Sequence, residues 1–329
     1  MTVGDIRPSV SYKAGSLLAI ETTGPVCSVA LLTYHGDGTF DRVDHEPYHG
    51  DGSAKRIARS ASDEAAVFYR ESVEGLAHLT SLLPMVEDLL GEAGLKPRQI
   101  GRIAVSSGPG SFTGIRIGIA TARALAQTLR VPIIKVPTLE TFVYHGDAYQ
   151  RHRPRDWCRP HDRRPRDRGT FTVACPIFDA RRDQMYAGAY MLEEDGRIMK
   201  LVNGGAYDPE VFFASLAESC AALVNLAKRA SGPEAVVSCS LMGDGLPVFR
   251  EAAEKFIRDV SAAGMEATAH PAVQDARAAL TWAIKQGGPE EYECLEPIYF
   301  RKAEAQRRLD ERNAAGAEYD SPGASVRPG

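Results

Sequence analysis

The residues with the clearest chemical potential form a glycine-rich run, Ser107-Gly108-Pro109-Gly110-Ser111-Phe112-Thr113-Gly114, between a predicted strand and a predicted helix. Backbone N–H groups and the helix dipole at such a place can hold an anion. A Walker loop needs Lys and then Ser or Thr after its last glycine, where this chain has Ile115-Arg116. The dinucleotide fingerprint, G-x-G-x-x-G, is one residue too short for these glycines. Spacing alone therefore favours a tight packing turn, capped by Ser111 or Thr113, over an anion site.

Residues that could bind a metal or act as nucleophiles are scattered. His45 and His49 are four residues apart, but Pro47 lies between them and makes a continuous helix improbable. The six cysteines are widely spaced and contain no Cys-x-x-Cys, which indicates neither a zinc site nor a disulfide framework. Ser111 lies outside any Gly-x-Ser-x-Gly elbow. The sequence predicts no metal centre and no catalytic triad.

The elements that must position these residues alternate as in α/β proteins. Strands are predicted at 17–23, 26–34, 100–106 and 131–136, with a third strand and a long surface excursion within 36–66. Helices are predicted at 72–93, 113–129 and from 137 onward. A second series follows, with strands at 171–178, 184–192 and 235–240 and helices at 209–228, 247–260 and 275–285. This recurrence predicts a duplicated α/β unit with a central cleft.

Composition limits the classes of function. The 329 residues are 44% hydrophobic and 25% charged, which is ordinary for a globular protein of two domains. A net charge of −4 argues against a general electrostatic binder of nucleic acid. We find neither the apolar core of a signal peptide nor an apolar run of about 20 residues, and expect a cytoplasmic protein.

Residues 150–169 contain eight arginines and three aspartates and cannot build a core. We expect a solvated insertion there, with contact to the phosphates of a nucleic acid as the less favoured alternative. The tail from 313 is rich in Gly, Ala, Pro and Ser, which is typical of disorder.

Several motifs, taken in order, resemble the TsaB (YeaZ) family of bacterial tRNA-modification subunits. They are Ile20-Glu21-Thr22-Thr23, Cys27-Ser28-Val29-Ala30-Leu31, His78-Leu79 to Leu83-Pro84, the glycine-rich run, Asp179-Ala180-Arg181 and Glu296-Pro297-Ile298-Tyr299-Phe300-Arg301. The resemblance spans about residues 17–306. It implies an actin-like, sugar-kinase-like (ASKHA, ribonuclease H-like) fold with two related lobes. The implied domains are an arm at 1–16, an N-terminal lobe at 17–147, the Arg-rich insertion at 148–170, a C-terminal lobe at 171–312 and a tail at 313–329.

The resemblance also implies a function without catalysis by this chain. Members of the family support the catalytic subunit TsaD, together with the ATPase TsaE, in forming threonylcarbamoyladenosine in ANN-decoding tRNAs. TsaD resembles this fold but carries His-x-x-x-His on its first long helix, whereas His78 here is followed by Leu82 at the fourth position. Active members of the fold have an aspartate where this chain has Glu21, and magnesium demands near-ideal ligand geometry. We therefore expect neither a bound metal nor turnover.

The resemblance suggests three groups of residues. The partner interface is expected at or near His78, Leu79, Leu82, Leu83, Ile115, Ile119 and Arg123. No cofactor is expected, but weak ATP or ADP binding at a subunit interface stays open, with candidate contacts at Thr22, Thr23, Gly108, Gly110, Ser111, Thr113, Gly243 and Gly245. Asp179 and Arg181 form a family signature, and a charged hairpin turn is its simplest reading.

The expected partners are the TsaD-type subunit, the TsaE-type ATPase, tRNA through the complex and, in isolation, a second copy of the chain. The alternatives are an ATP-dependent kinase-like enzyme of the same fold and a glycoprotease-like metallopeptidase.

Overall fold

The computed structural model describes residues 16–34, 55–59, 65–72, 78–145, 170–193 and 195–301. The chain divides into two compact units, Met1–Ile298 and Tyr299–Gly329, and the structure described below belongs to the first. The His45–His49 segment, the Arg-rich insertion and the tail from 313 lie outside the described residues.

The first sheet has the strand order β3-β4-β2-β1-β5-β6. Its strands are β1 (Ser16–Glu21), β2 (Cys27–Tyr34), β3 (Lys55–Arg59), β4 (Ala65–Ser72), β5 (Ile100–Ser106) and β6 (Ile133–Val136). The first four strands pair antiparallel, and β5 and β6 continue the sheet parallel to β1. Every residue of the apolar strand β1 is buried, as expected for a central strand covered on both faces.

Two helices pack against the first sheet, α1 (His78–Glu92) and α2 (Phe112–Leu129). Leu82 and Leu89 of α1 share one core with Ile115 and Ile119 of α2. Helix α2 begins after the glycine-rich turn, so this turn lies at the end of β5 where the chain leaves the sheet.

The second sheet has the order β11-β10-β7-β8-β9. Its strands are β7 (Thr170–Asp179), β8 (Met185–Leu192), β9 (Ile198–Tyr207), β10 (Val236–Met242) and β11 (Glu266–His270). Strands β7 to β9 pair antiparallel, and β10 and β11 run parallel to β7. Helices α3 (Pro209–Ser231) and α4 (Arg250–Ala262) cover it.

The two sheets therefore repeat one topology, which confirms the predicted α/β fold with two related halves. Apart from the extra edge strand β3, each half contains three antiparallel strands, a helix, a parallel strand, a second helix and a final parallel strand. Each half then packs a helical segment on the other sheet. The 3₁₀ segment Thr138–Tyr144 contacts the second sheet, and α5 (Ala276–Lys285) contacts β1, β2, β5 and β6 of the first. The domain boundaries drawn from the sequence stay predictions.

Some predicted bounds were wrong. Ser72 ends strand β4 instead of starting the first helix, which begins at His78. The helix predicted from 137 onward is the 3₁₀ segment Thr138–Tyr144, and strands β9 and β11 were not predicted. Both missed strands lie in the outer part of the second sheet, β9 is buried only at Val202, and neither has the apolar run that identifies a central strand.

Helix α3 corrects the sequence reading of apolar runs, because its length and apolar composition would suffice to cross a membrane. The same helix supplies core residues to the second half, and core helices often meet those two criteria. Its buried residues are Phe212, Phe213, Leu216, Cys220, Leu223 and Ala227.

Candidate functional site

The glycine-rich turn begins helix α2 in the way its composition predicts. Ser111 is the N-cap, and its side chain accepts a hydrogen bond from the Gly114 N–H at 3.2 Å. Thr113, the alternative cap, lies inside the first turn of the helix. A serine at this position satisfies one of the N–H groups that a helix start leaves unpaired.

Other N–H groups of this turn donate to the protein. The Gly108 N–H donates to Thr138 Oγ1 at 3.2 Å, and the Ser111 N–H donates to the Thr23 carbonyl at 2.7 Å. An anion site of the kind found at helix starts needs such donors directed at the ligand. These contacts favour the packing reading of the turn. Nucleotide or anion contact by this turn remains a prediction.

The close approach of two backbone segments explains why position 114 is a glycine. A Cβ on Gly114 would lie 1.9 Å from the Thr22 carbonyl oxygen, so no larger residue fits without moving the backbone. Thr22 itself donates from Oγ1 to the Gly114 carbonyl at 2.8 Å. The candidate residues Thr22 and Thr23 are thus brought to the glycine-rich turn, where they bind the protein's own backbone.

The carboxyl group of Glu21 ends β1 in a fully buried position. Its Oε1 accepts hydrogen bonds at 2.6 Å from the backbone N–H and the hydroxyl of Thr23, while Oε2 is buried with no hydrogen-bond partner that meets standard geometry among the described residues. Burial raises the pKa of this carboxyl, a shift that the hydroxyls of Ser106 and Thr23 oppose. Burial thus disfavours the charged form that a magnesium ion would need.

The residues before α5 close over this strand end. Gln274 is almost completely buried, and its side chain occupies the space beside Gly24, where an added Cβ would lie 2.0 Å from Gln274 Oε1. The Ala276 N–H donates to Ser28 Oγ at 3.0 Å and ties the helix start to β2. The chain's own side chains thus fill the space beside the first-strand turn.

Asp275 caps α5 and forms a buried ion pair with Arg277, which also stacks on Tyr69 with its guanidinium carbon 4.3 Å from the ring centroid. Burial alone would raise the pKa of Asp275, but the Arg277 guanidinium more than offsets it, and the pKa lies below its usual value. Sequence reasoning missed both residues, although an Asp before an Ala-rich helix is a recognisable N-cap signal.

The second half brings two corresponding turns together. The Gly245 N–H donates to the Ile177 carbonyl at 3.0 Å, which places the turn after β10 against the end of β7. A Cβ on Gly243 would lie 2.1 Å from that same carbonyl. Packing accounts for both candidate glycines. Nucleotide contact at this turn also remains a prediction.

Asp179 and Arg181 form a charged hairpin turn, as the simplest reading of their signature predicts. Asp179 accepts from the Arg181 N–H at 2.7 Å and pairs with its guanidinium at 3.0 Å. Arg181, Arg182 and Asp183 all have left-handed backbone conformations, which are strained for residues other than glycine.

Asp244 is a further residue that the candidate set omitted. Its Oδ1 is buried and has no hydrogen-bond partner within the described part of the chain, and burial, with help from nearby Asp179, raises the pKa of Asp244 to about 6. Because only the folding brings Asp179 and Asp244 together, the sequence contains no local signal of this pair.

In the part of the chain that the structure describes, no three His, Cys, Asp or Glu side chains are grouped so that they could hold a metal ion. The side chains of His78 and Leu79, two residues of the predicted interface, are not among the described side chains, and Leu82, four residues after His78, belongs to the core.

The predicted interface residues fall into three groups. Leu82, Ile115 and Ile119 are buried in the core of this chain, so an Asp at any of them would unfold the monomer before it tested an interface. Leu83 is 49% exposed and available to a partner. Arg123 donates to backbone carbonyls of residues 292–295, so it is engaged within the chain.

The outward side of the helix pair consists mainly of small and charged residues around one large apolar side chain. We call it the helix-pair face, and its exposed members are Leu83, Pro84, Glu87, Asp88, Arg116, Ala120 and Ala124. Helical periodicity alone did not separate these residues from the core stripe beneath them, because both α1 and α2 contain apolar residues on more than one side.

Comparison with known proteins gives three results. The family model described as TsaD, tRNA N6-adenosine threonylcarbamoyltransferase, matches residues 73–159. The TsaB protein of Bacillus subtilis (strain 168) is 34% identical over 113 residues, which cover 34% of this chain and 40% of that relative. The TsaB protein of Escherichia coli (strain K12) is 35% identical over 119 residues, covering 36% and 43%. Both relatives are named as tRNA threonylcarbamoyladenosine biosynthesis proteins, and the matched segment spans about two fifths of their length.

Among solved structures, a Pseudomonas aeruginosa protein described as uncharacterized, with similarity to the peptidase YEAZ, superimposes with a TM-score of 0.52 at 23% identity. The match covers 87% of this chain and 100% of that protein. At this identity the likeness supports the fold alone.

Proposed function

We propose that the chain is a member of the TsaB/YeaZ family and a non-catalytic partner subunit in the biosynthesis of threonylcarbamoyladenosine in ANN-decoding tRNAs, which its similarity to two TsaB proteins and to the TsaD family model supports. In this proposal a TsaD-type subunit holds the catalytic site, a TsaE-type ATPase joins them, and tRNA binds the complex in the cytoplasm. The chain contributes by docking, which stabilises the bound form of its partner by mass action.

The observation that carries the non-catalytic part is the closed end of β1. Glu21 is fully buried, Gln274 occupies the space beside Gly24 in the turn that follows, and neighbouring backbone donors bind the protein itself. A phosphotransferase of this architecture would need a solvent-accessible carboxylate and room for phosphates at this strand end. The same geometry argues against the kinase-like alternative.

The helix-pair face is the proposed docking surface. Helices α1 and α2 both lie in the segment, residues 73–159, that matches the TsaD model. Related helices on two subunits can pair about a pseudo-two-fold axis, in which equivalent patches meet. Exposed Leu83 is the apolar centre of this face, and the alanines of α2 permit close helix approach. The same face would serve a homodimer of the isolated chain.

Reconstitution tests the assignment of function. The purified chain should form no threonylcarbamoyladenosine on tRNA and hydrolyse no ATP by itself, while addition of TsaD-type and TsaE-type subunits should produce the modified nucleoside, measured by nucleoside mass spectrometry. Omission of this chain from the complete mixture is the control. Sustained ATP turnover or proteolysis by the chain alone would contradict the non-catalytic role.

A matched pair of variants tests the docking surface. Leu83→Asp should weaken capture of the TsaD-type subunit by about tenfold or more, because it buries a charge at the centre of the interface. Leu226→Asp on α3 makes the same change at a side chain that is 57% exposed, against 49% for Leu83. Both variants should stay folded, as judged by thermal unfolding. Equal capture by the two would place the interface elsewhere.

A further inference from the structure

The segment that follows α5 starts beside strand β6 at the edge of the first sheet and ends on the glycine-rich turn. We call residues 290–298 the strap. At its start Glu290 pairs with Ile133 at the sheet edge, through backbone hydrogen bonds of 2.7 and 3.0 Å. In its middle Leu295 is fully buried in the core of the first half. At its end the Ile298 N–H donates to the Ser107 carbonyl at 2.7 Å.

A single side chain of α2 holds the middle of the strap. Arg123 donates to the carbonyls of Tyr292 and Glu293, each at 3.1 Å, and to the carbonyl of Leu295. Guanidinium groups form stronger hydrogen bonds than neutral donors, and their rigid fork can serve several acceptors at once. Lysine, with one flexible point charge, cannot reproduce this arrangement.

The end of the strap fixes the turn from which α2 starts. A Cβ on Gly108 would lie 2.6 Å from the Ile298 carbonyl oxygen, so the strap backbone rests directly on the turn. On the opposite side the Thr138 N–H donates to the Gly108 carbonyl at 2.9 Å. The start of α2 is thus held between two backbone segments, and Arg123 connects one of them to the body of the same helix.

We propose that Arg123 is a positioning residue for the helix-pair face. It acts through the strap, which sets the placement of α2 and of the turn before it, and not through direct contact with the partner. This inference rests on the proposed function, because the helix-pair face is the surface that it positions. It assigns to Glu296-Pro297-Ile298 the role of a brace for the glycine-rich turn.

The test combines amide hydrogen exchange with partner binding for three variants. Arg123→Ala and Leu295→Val loosen the strap from its two sides, and Arg116→Ala removes an exposed arginine of the same helix that lies on the helix-pair face. Arg123→Ala should accelerate exchange in residues 107–111 and 290–298 and weaken binding of the TsaD-type subunit about tenfold. Leu295→Val should do the same to a smaller extent. When the two changes are combined, their effects should be less than additive because they act on one contact. Arg116→Ala should weaken binding with exchange of the strap unchanged.

Three outcomes would overturn the inference. Weakened binding with normal strap exchange in Arg123→Ala would mean that Arg123 touches the partner directly. Faster exchange with undiminished binding would mean that the strap does not determine the placement of the helix-pair face. If Arg123→Ala does not fold, Arg123→Lys and Leu295→Val decide between the same outcomes. Failure of the unaltered chain to bind the TsaD-type subunit would remove the proposed function itself, and this result is distinguished because it precedes any variant.

Discussion

The two halves share one strand order, but the acidic residue that ends the first strand of each half differs in its exposure to solvent. In the first half the acidic residue that ends the first strand, Glu21, is fully buried, and the Gln274 side chain fills the space beside Gly24 in the turn that follows. In the second half the corresponding Asp179 is only partly buried and pairs with Arg181, whose side chain is 86% exposed. A shared topology thus fixes where two turns meet, while the neighbouring segments determine how far the acidic residue at that place is exposed.

The largest expected difference is between two glycine-to-alanine variants, one in the turn after β5 and one in the turn after β10. Gly114→Ala should lower the free energy of unfolding by about 3–5 kcal/mol, because its Cβ would lie 1.9 Å from the Thr22 carbonyl oxygen. Gly245→Ala should cost less, since its closest atom, the Phe178 carbonyl carbon, is 2.7 Å away. Urea unfolding measures both.

Gly91→Ala is the control for these variants. It lies in α1, where the added Cβ would meet no described residue within 4 Å outside its own helix backbone, and it should stabilise the protein by about 0.5–1 kcal/mol through helix propensity. Equal costs for Gly114→Ala and Gly245→Ala would show that the closer approach at Gly114 has no energetic consequence.

The second largest expected difference is the loss of stability when the ion pair of each half is broken. Arg277→Met leaves Asp275 buried without its partner and should cost about 3 kcal/mol, since both side chains are only 12% exposed. Arg181→Met breaks a largely exposed pair and should cost less than about 1 kcal/mol. Thermal and urea unfolding of the two variants compare them directly. A large loss in Arg181→Met would mean that the strained turn at 181–183 depends on this pair.

Asp244, in the second half, should make the free energy of unfolding depend on pH. Its pKa is raised from 3.8 to about 6 in the folded protein, so the folded state binds the proton more tightly than the unfolded chain does. The stability from this group is fully present below about pH 4 and is lost as pH rises through 6. Asp244→Asn should therefore match the parent near pH 4 and exceed its stability by about 1–3 kcal/mol at pH 8.

Asp259→Asn, at an exposed position of α4, is the control and should follow the parent at every pH. Urea unfolding from pH 4 to pH 8 measures the three proteins. A parallel pH profile for Asp244→Asn and the parent would show that the carboxyl is well solvated.

Local sequence signals located most of the secondary structure. Apolar runs marked the central strands, and the glycine-rich run marked the turn before α2 together with its cap at Ser111. The same signals failed at β9 and β11, where exposed positions dilute the apolar pattern. At β4 (Ala65–Ser72) the start of the strand was assigned to the surface excursion and its last residue to the following helix, and residues 67–71 were assigned to no element.

The sequence by itself determined the α/β alternation, the duplication and the resemblance to the TsaB/YeaZ family, because these depend on patterns along the chain. Only the tertiary structure decided that Leu82, Ile115 and Ile119 belong to the core while Leu83 faces outward. It also decided that α5 crosses to the first sheet and closes the end of β1. Helical periodicity repeats every 3.6 residues and identifies an apolar stripe, but which side of a helix meets a sheet depends on segments that are distant in sequence.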